Sequence, residues 1–501
     1  MTRPIELIDC SLRDGHQSLL ATRMSTAQAM RVLPLLKQAG YTTLELWGGA
    51  TLDAALRFTG DDPWERLDAF RQMLGGRVSI RSLCRGQNLF AYSPYADRVV
   101  YTFIKHAVRG GNDRIRIFDA LNDPTNLTTA IMTAKTFDGL AEVALSYTTS
   151  PVHDVAHFLR FVDHAVDQGA DALAIKDMAG LLDPAVAAEL VRAIKAKHPD
   201  RHLTLHSHCT NGLAIASYAA AMLAGVDAVD VCHGPMAGST AQPPAELICL
   251  IADELGLTTG LDRSLFPEID HRLRGIREEL VEFDAVKDGA YGGPWPQTPS
   301  DHLRDEVRKL CALVREGTPQ SYAAAVDLSE LMMTDAGYPP TDKQQLAAQI
   351  PGGMISNLRT QLEKTGTLAN LPRILEEVPR VRAESGYVPL VTPTSQIVGT
   401  QAALNVNSGQ RYSLMSKEFI NMVTGRYGRL PGPVDPDLLA KARAQAEPVP
   451  PGGARSDDPD LSRVYAEFPN LIHNERELLL CLLFPQPARA LLTKRYPAAR
   501  A

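Results

Sequence analysis

Two histidines, His206 and His208, stand two apart in a short strand-like run, Leu203 to Cys209. On a strand, residues two apart share a face, so both imidazoles can turn neutral nitrogens toward one divalent ion. Asp14, in the segment Ser11-Leu12-Arg13-Asp14-Gly15-His16-Gln17, could supply a third ligand from another strand end. The alternative is a chance pair, or two histidines hydrogen-bonded inside the fold. Cys209, beside His208, points to the opposite face and is set aside. Lys176 closes another aliphatic run, and its burial is unfavourable unless the amine loses its charge. A neutral amine beside a metal can take up CO₂ as a carbamate and become an anionic oxygen ligand. A salt bridge to Asp177 or Asp119 is the competing reading. Arg85 offers a planar fork suited to carboxylates, with Tyr92 seven residues further on. Both residues also read as an ordinary surface arginine and a loop aromatic.

Residues so scattered meet only where a fold gathers strand ends. Eight runs rich in β-branched and aliphatic residues recur: Ile5 to Cys10, Leu44 to Trp47, Val78 to Cys84, Ile115 to Asp119, Val143 to Tyr147, Leu173 to Lys176, Leu203 to Cys209 and Ala228 to Cys232. Helical spacing separates most of them, as in Val155, Phe158, Leu159, Val162, Ala165 and Val166. This alternation predicts an α/β fold. Eight units in about 235 residues fit a closed (β/α)₈ TIM barrel better than an open doubly wound sheet. Chemistry in such a barrel sits at the C-terminal strand ends, where the residues above fall. From Pro267 to Glu377 the pattern is mainly helical, with Leu310, Leu313 and Val314 on one face. The expected division is a barrel over 1–290, a helical C-terminal domain over 291–443, and a linker and helical tail over 444–501. The linker reading rests on the Pro/Gly/charge-rich stretch at 445–460. The tail, Val464 to Lys494, should dock back or meet a partner.

Composition narrows the function class. With 501 residues, 45% hydrophobic and 22% charged, the chain reads as globular, neither disordered nor fibrous. A net charge of −7 without a basic arm speaks against nucleic acid. Seven scattered cysteines without a CxxC pair fit reduced thiols in a cytoplasm. No secretory signal or spanning segment is visible, Leu213 to Val226 being too short.

The assembled segments resemble the carboxyltransferase family of biotin-dependent enzymes: the 5S subunit of transcarboxylase, the α subunit of oxaloacetate decarboxylase, and the carboxyltransferase domain of pyruvate carboxylase. The segments are LRDGHQSLLATRM (12–24), LWGGATLDAALRF (46–58), RGQNLFAY (85–92), FDALND (118–123), IKDMAGLL (175–182), LHSHCTNGLA (205–214), PGGMISNL (351–358) and VTPTSQIVG (391–399). They run in order from residue 5 to about 435, and the last looks closest to the 5S and decarboxylase branch. The resemblance implies a barrel whose helical C-terminal domain forms a funnel over its mouth, commonly in a homodimer. It implies a zinc, cobalt or manganese ion held by Asp14, His206, His208 and a carboxylated Lys176. It further implies that Arg13, Gln17 and Arg85 hold an α-keto acid, that Asp53 and Tyr92 line the biotin side, and that Ser356 relays a proton.

Three departures stand out. Asp9-Cys10-Ser11 replaces the usual Asp-Thr-Thr, Ser356 replaces a common threonine, and no Met-Lys-Met biotinylation context is present, Met415-Ser416-Lys417 not qualifying. Biotin is therefore expected on a separate carrier protein. The implied reaction moves a carboxyl group between carboxybiotin and pyruvate, making or consuming oxaloacetate through a metal-stabilised enolate, with Ser356 carrying the proton. Two other readings are a Claisen-type acyl-CoA lyase or synthase on the same barrel, and a non-catalytic barrel that binds the carrier.

Overall fold

The computed structural model describes residues 3–91, 93–286, 292–293, 295, 298–341, 362–363, 366–446 and 458–497. Tyr92 and Ser356 lie outside the described residues, as does most of the Pro/Gly-rich stretch.

All eight aliphatic runs form strands: β1 Glu6–Asp9, β2 Thr43–Gly48, β3 Ser79–Cys84, β4 Arg114–Phe118, β5 Leu140–Ser146, β6 Ala172–Asp177, β7 His202–Ser207 and β8 Ala228–Val231. Neighbours pair in parallel and β8 returns to β1, closing the barrel. The register sets Lys176 directly beside His206. Parallel strands need a crossover between them, and helices provide it. The helix Val155–Asp167 shows why: Asp154 caps its first turn by accepting from the His157 N–H, and Phe158, Phe161, Val162 and Ala165 form its buried stripe.

The strands divide their side chains by alternation. Leu44, Leu46, Ile80, Ile115, Ile117, Leu173, Ile175, Leu203, Leu205, Val229 and Val231 join the helices in one core. The residues between them on five strands, Glu45, Arg81, Arg116, Glu142 and Asp230, are buried as charges on the other face. The barrel interior is thus ionic where most such barrels are aliphatic.

The helices Asp301–Glu316 and Pro319–Asp335 lie beyond the boundary expected near residue 290, yet Val307, Leu310, Cys311, Val314, Ala325 and Met332 are buried in the barrel's own core. A second core gathers Leu362, Ile374, Val378, Val381, Val398, Phe419, Met422 and Leu438 with Leu121 from the barrel. This unit sits on the mouth. Val391 packs with Leu83, Phe118, Ala120, Ala144 and Ala174 at the ends of β3 to β6. Asn126 donates to the Tyr427 carbonyl at 2.8 Å, and Arg382 donates to Thr148 Oγ1 at 2.8 Å. The tail docks back through helices Leu461–Glu467, Glu475–Leu483 and Pro485–Arg495, which bury Leu480 and Leu492 in the barrel core. All seven cysteines are buried and unpaired. Among the described residues no helix is long and apolar enough to cross a membrane.

Gly48 at the end of β2 has φ of +92°, and a Cβ there would stand 2.3 Å from the Leu83 carbonyl oxygen. Gly48→Ala is expected to lower stability by about 3 kcal/mol or more in urea unfolding, left-handed strain adding to a backbone clash. Gly76 has nothing within 4 Å of its Cβ position. Gly76→Ala should be neutral or stabilising by up to about 1 kcal/mol in the same assay.

Candidate metal centre

The alternation that turns His206 inward carries His208 to the same side, and the loop after β1 brings Asp14 to meet them. The His206 and His208 Nε2 atoms stand 3.2 Å apart. Asp14 Oδ2 lies 3.4 Å from the first and 3.5 Å from the second. His206 Nδ1 contacts the Asp230 carboxylate at 2.8 Å, and His208 Nδ1 contacts the Thr240 carbonyl at 2.6 Å. An ionised carboxylate and a carbonyl only accept, so both Nδ1 atoms carry the proton and both Nε2 atoms present lone pairs. Three electron-rich atoms therefore converge, which is unfavourable without a cation between them. The donor set suits a small divalent ion, whose bonds to nitrogen run about 2.0–2.1 Å.

The charges are arranged to the same end. Burial, aided by nearby Lys176, pushes His206 down to about 3, so its ring is neutral. Burial opposes the Asp14 charge, yet Arg13 beside it holds this carboxyl well below the usual carboxylate range. Lys176 Nζ lies 3.1 Å from His206 Nε2. Burial lowers this amine to about 8, with Asp14 working in the opposite direction. Neither Asp177 nor Asp119 takes the amine as a hydrogen-bond partner. Asp177 accepts from the Leu181 and Leu182 N–H groups and the Ser207 hydroxyl. Asp119 accepts from the Leu121 and Asp123 N–H groups and from Asn126.

Beneath this cluster lies a network that sequence reading did not find. Asp230 Oδ2 accepts from His206, from Arg81 Nη2 at 2.7 Å, and from Arg116 Nη1. Arg81 Nε also donates to Glu45 at 2.9 Å, Arg116 Nε donates to Glu142 at 2.7 Å, and Arg13 Nε donates to Glu45 at 2.6 Å. Burial raises the Asp230 carboxyl, but Arg116 and Arg81 outweigh it and hold the group well below its usual range. Gln242 was missed as well. Its Nε2 lies 2.9 Å from Asp14 Oδ2 and 3.2 Å from His208 Nε2, while Cys232 Sγ meets its Oε1 at 3.1 Å. The signal available for the network was a charged residue between aliphatic neighbours on five of the eight strands.

The remaining expected residues are placed unevenly. Arg13 is buried and paired with Asp14 and Glu45. Gln17 is half-buried at the mouth, where its Oε1 accepts from the Ala50 N–H at 3.3 Å. Arg85 opens the turn after β3 and donates from Nη1 to the Ala91 carbonyl at 3.2 Å. Asp53 pairs with Arg57 one helical turn away at 2.6 Å, and both side chains are at least 40% exposed. Cys10, one of the departures, lies with its thiol near His206 and Asp230. Burial raises its pKa, so it stays a neutral thiol there.

The chain is similar to proteins of known families. A family model described as "Conserved carboxylase domain" matches residues 346–500, and one described as "HMGL-like" matches residues 96–271. The chain is 37% identical to a pyruvate carboxylase subunit of Methanocaldococcus jannaschii, over 97% of this chain and 77% of that one. It is 34% identical to the methylmalonyl-CoA carboxyltransferase 5S subunit of Propionibacterium freudenreichii subsp. shermanii, over 97% of this chain and 87% of the other. Among solved structures, the carboxyl transferase domain of Rhizobium etli pyruvate carboxylase with pyruvate and biocytin is similar, with a TM-score of 0.82 and 26% identity, covering 99% of this chain and 79% of that one.

Asp230→Asn keeps the shape but removes the charge on which two arginines and His206 converge. The variant should bind divalent metal about 10–100-fold more weakly in chelator competition. It should also lose about 3 kcal/mol of stability in urea unfolding, because Arg81 and Arg116 keep Glu45 and Glu142 but lose the buried counter-charge they share.

Proposed function

The chain belongs to the carboxyltransferase family of biotin-dependent enzymes, and on that basis we propose that it moves a carboxyl group between biotin on a separate carrier protein and the pyruvate/oxaloacetate pair. The observation that carries this reading is the convergence of Asp14, His206 and His208 lone pairs beside a buried lysine at the mouth of the barrel. Asp14, His206, His208 and Lys176 would hold a divalent ion, zinc, cobalt or manganese. Such an ion, when bound, supplies Lewis-acid stabilisation of charge on the keto oxygen.

Lys176 contributes through its lowered basicity. With a pKa of about 8, part of the amine is neutral at neutral pH. Its lone pair can add to the carbon of CO₂, one N–H proton leaving to water, and the carbamate replaces a buried cation with an anionic oxygen donor. Arg85 and Gln17, at the mouth, would orient the keto acid, with Arg13 holding the Asp14 side of the site. Asp53 and Tyr92 belong on the biotin side of this reading. The Ser356 hydroxyl would pass a proton between the substrate methyl carbon and biotin N1, so that neither a free carbanion nor a free biotin anion has to accumulate.

In this reading biotin reaches the site on a carrier protein. The helical unit that packs Val391 into the mouth serves as the funnel, and residue 443 is proposed as its end. A homodimer in a cytoplasmic complex completes the proposal. A Claisen-type acyl-CoA enzyme and a non-catalytic barrel are not favoured, since the relatives matched along nearly the whole chain carry carboxylase and carboxyltransferase names.

The purified protein should hold about one divalent ion per chain, and His206→Ala should lose it together with turnover. Stoichiometric metal in that variant, measured by elemental analysis, would remove the assignment. The chain should show no covalent biotin on a streptavidin blot and should decarboxylate oxaloacetate slowly with free biotin. A biotinylated carrier should speed this strongly by raising the effective biotin concentration. Ser356→Ala should lose about 10²-fold or more in biotin-dependent transfer while Ser356→Thr stays active. A fully active alanine variant would take Ser356 out of the mechanism.

A further inference from the structure

Arg85 is carried on a short, tightly turned loop. The Arg85 N–H donates to the Leu89 carbonyl at 3.0 Å, and the Ala91 N–H donates to the Asn88 carbonyl at 2.8 Å. Leu89 has φ of +49°, a conformation that a branched side chain rarely adopts. Gly86, with φ of +44°, approaches the Asn126 carbonyl so closely that a Cβ would stand 2.5 Å away. Backbone held in such a conformation relaxes unless its surroundings fix it. The residue after Leu89 is Phe90, and its ring is the anchor. It meets Phe103 edge-to-face with centroids 4.8 Å apart.

The other flank of Phe90 is covered by the far end of the chain. Phe484 stacks on it with centroids 5.9 Å apart and ring planes 26° from parallel. Phe484 lies between the helices Glu475–Leu483 and Pro485–Arg495 and is 8% exposed. Phe103 stacks in turn on Trp47, centroids 5.6 Å apart. Trp47 directly precedes Gly48 and Gly49, and the Cβ position of Gly49 is 3.2 Å from Gln17 Oε1 and 3.6 Å from Arg13 Nη1. An unbroken run of rings thus links the tail to the wall that carries Arg85, Gln17 and Arg13. Ion pairs fasten the tail on either side: Glu475 to Lys105 at 2.6 Å and His106 at 2.8 Å, Arg476 to Asp68 at 2.7 Å, and Arg495 to Asp62 at 2.8 Å. Apart from buried Asp62, these pairs are partly open to solvent and hold the tail in register more than they stabilise it. The ring contact is the part that reaches the loop.

We propose that Phe484 is a positioning residue for the keto-acid site: by clamping Phe90 it holds the loop 85–91 in the strained form that presents Arg85. The proposal rests on the functional reading above. It gives the tail a task in that site although no tail residue needs to touch substrate. Loosening the clamp should weaken substrate capture and leave the metal ligands on β6 and β7 undisturbed.

The test uses the full chain with Phe484→Leu, which keeps apolar volume but removes the ring, and Phe484→Tyr, which restores it. In Phe484→Leu, hydrogen exchange in the peptide containing residues 85–91 should quicken by about tenfold, as expected when one aromatic contact is lost from a local opening. The KM for oxaloacetate in free-biotin-dependent decarboxylation should rise about fivefold or more with kcat and metal content nearly unchanged, the pattern of lost binding that substrate and transition state share. Phe484→Tyr should return both readings to the parent values. Unchanged exchange over 85–91, faster exchange with unchanged KM, or a fall in kcat accompanied by metal loss would each overturn the proposal. If the parent chain does not turn over oxaloacetate at all, the reaction reading fails. The exchange comparison still decides whether Phe484 holds the loop.

Discussion

One oxygen, Asp230 Oδ2, receives His206, Arg81 and Arg116 at the centre of the barrel, and the surrounding structure answers to the charges it balances. An eight-stranded barrel leaves room inside only for side chains, and here that room is filled by ions. Each must be paired, because an uncompensated charge in that interior is strongly destabilising. Arg13, Arg81 and Arg116 meet Glu45, Glu142 and Asp230 in one connected layer. The pairing fixes the His206 tautomer by keeping the proton on Nδ1. It thereby fixes which nitrogen faces Asp14 and His208. Two of the candidate metal ligands, His206 and Asp14, are oriented from below by contacts of this layer.

Above this layer, the mouth is assembled from distant parts of the chain. Val391 enters from the second core and closes the ends of β3 to β6 with apolar contacts. The tail reaches the same rim from outside, through Phe484 and Phe90. The candidate metal ligands lie on β6, at and just past the end of β7 and in the loop after β1, and Lys176 shares the β6 end with the Val391 contact. The ionic floor is built from barrel residues, whereas the rim that carries Arg85 and Gln17 also rests on elements that fold onto it.

The amino-acid sequence by itself determined the eight strands, because short runs of β-branched and aliphatic residues separated by helical periodicity read as alternating strand and helix, which at this length fit a closed barrel better than an open sheet. It also determined that His206 and His208 share a face, through the two-residue period of a strand, and that Lys176 stands at a strand end. The chemistry of each residue was legible from its type and local pattern. Only the tertiary structure decided which of them meet. A charged residue between aliphatic ones, such as Arg81 or Asp230, reads locally as the solvent face of an amphipathic strand. Closure of the barrel turns that face inward, so the same alternation produces a buried ionic layer. Asp14 and Gln242, 228 positions apart, meet at 2.9 Å, and no local pattern encodes that approach. Asp53 shows the converse: it sits in a matching segment, yet its helix points it at Arg57 on the rim. Local periodicity is a property of neighbours in the chain. The pairing of charges across a closed barrel is a property of the distances that closure creates.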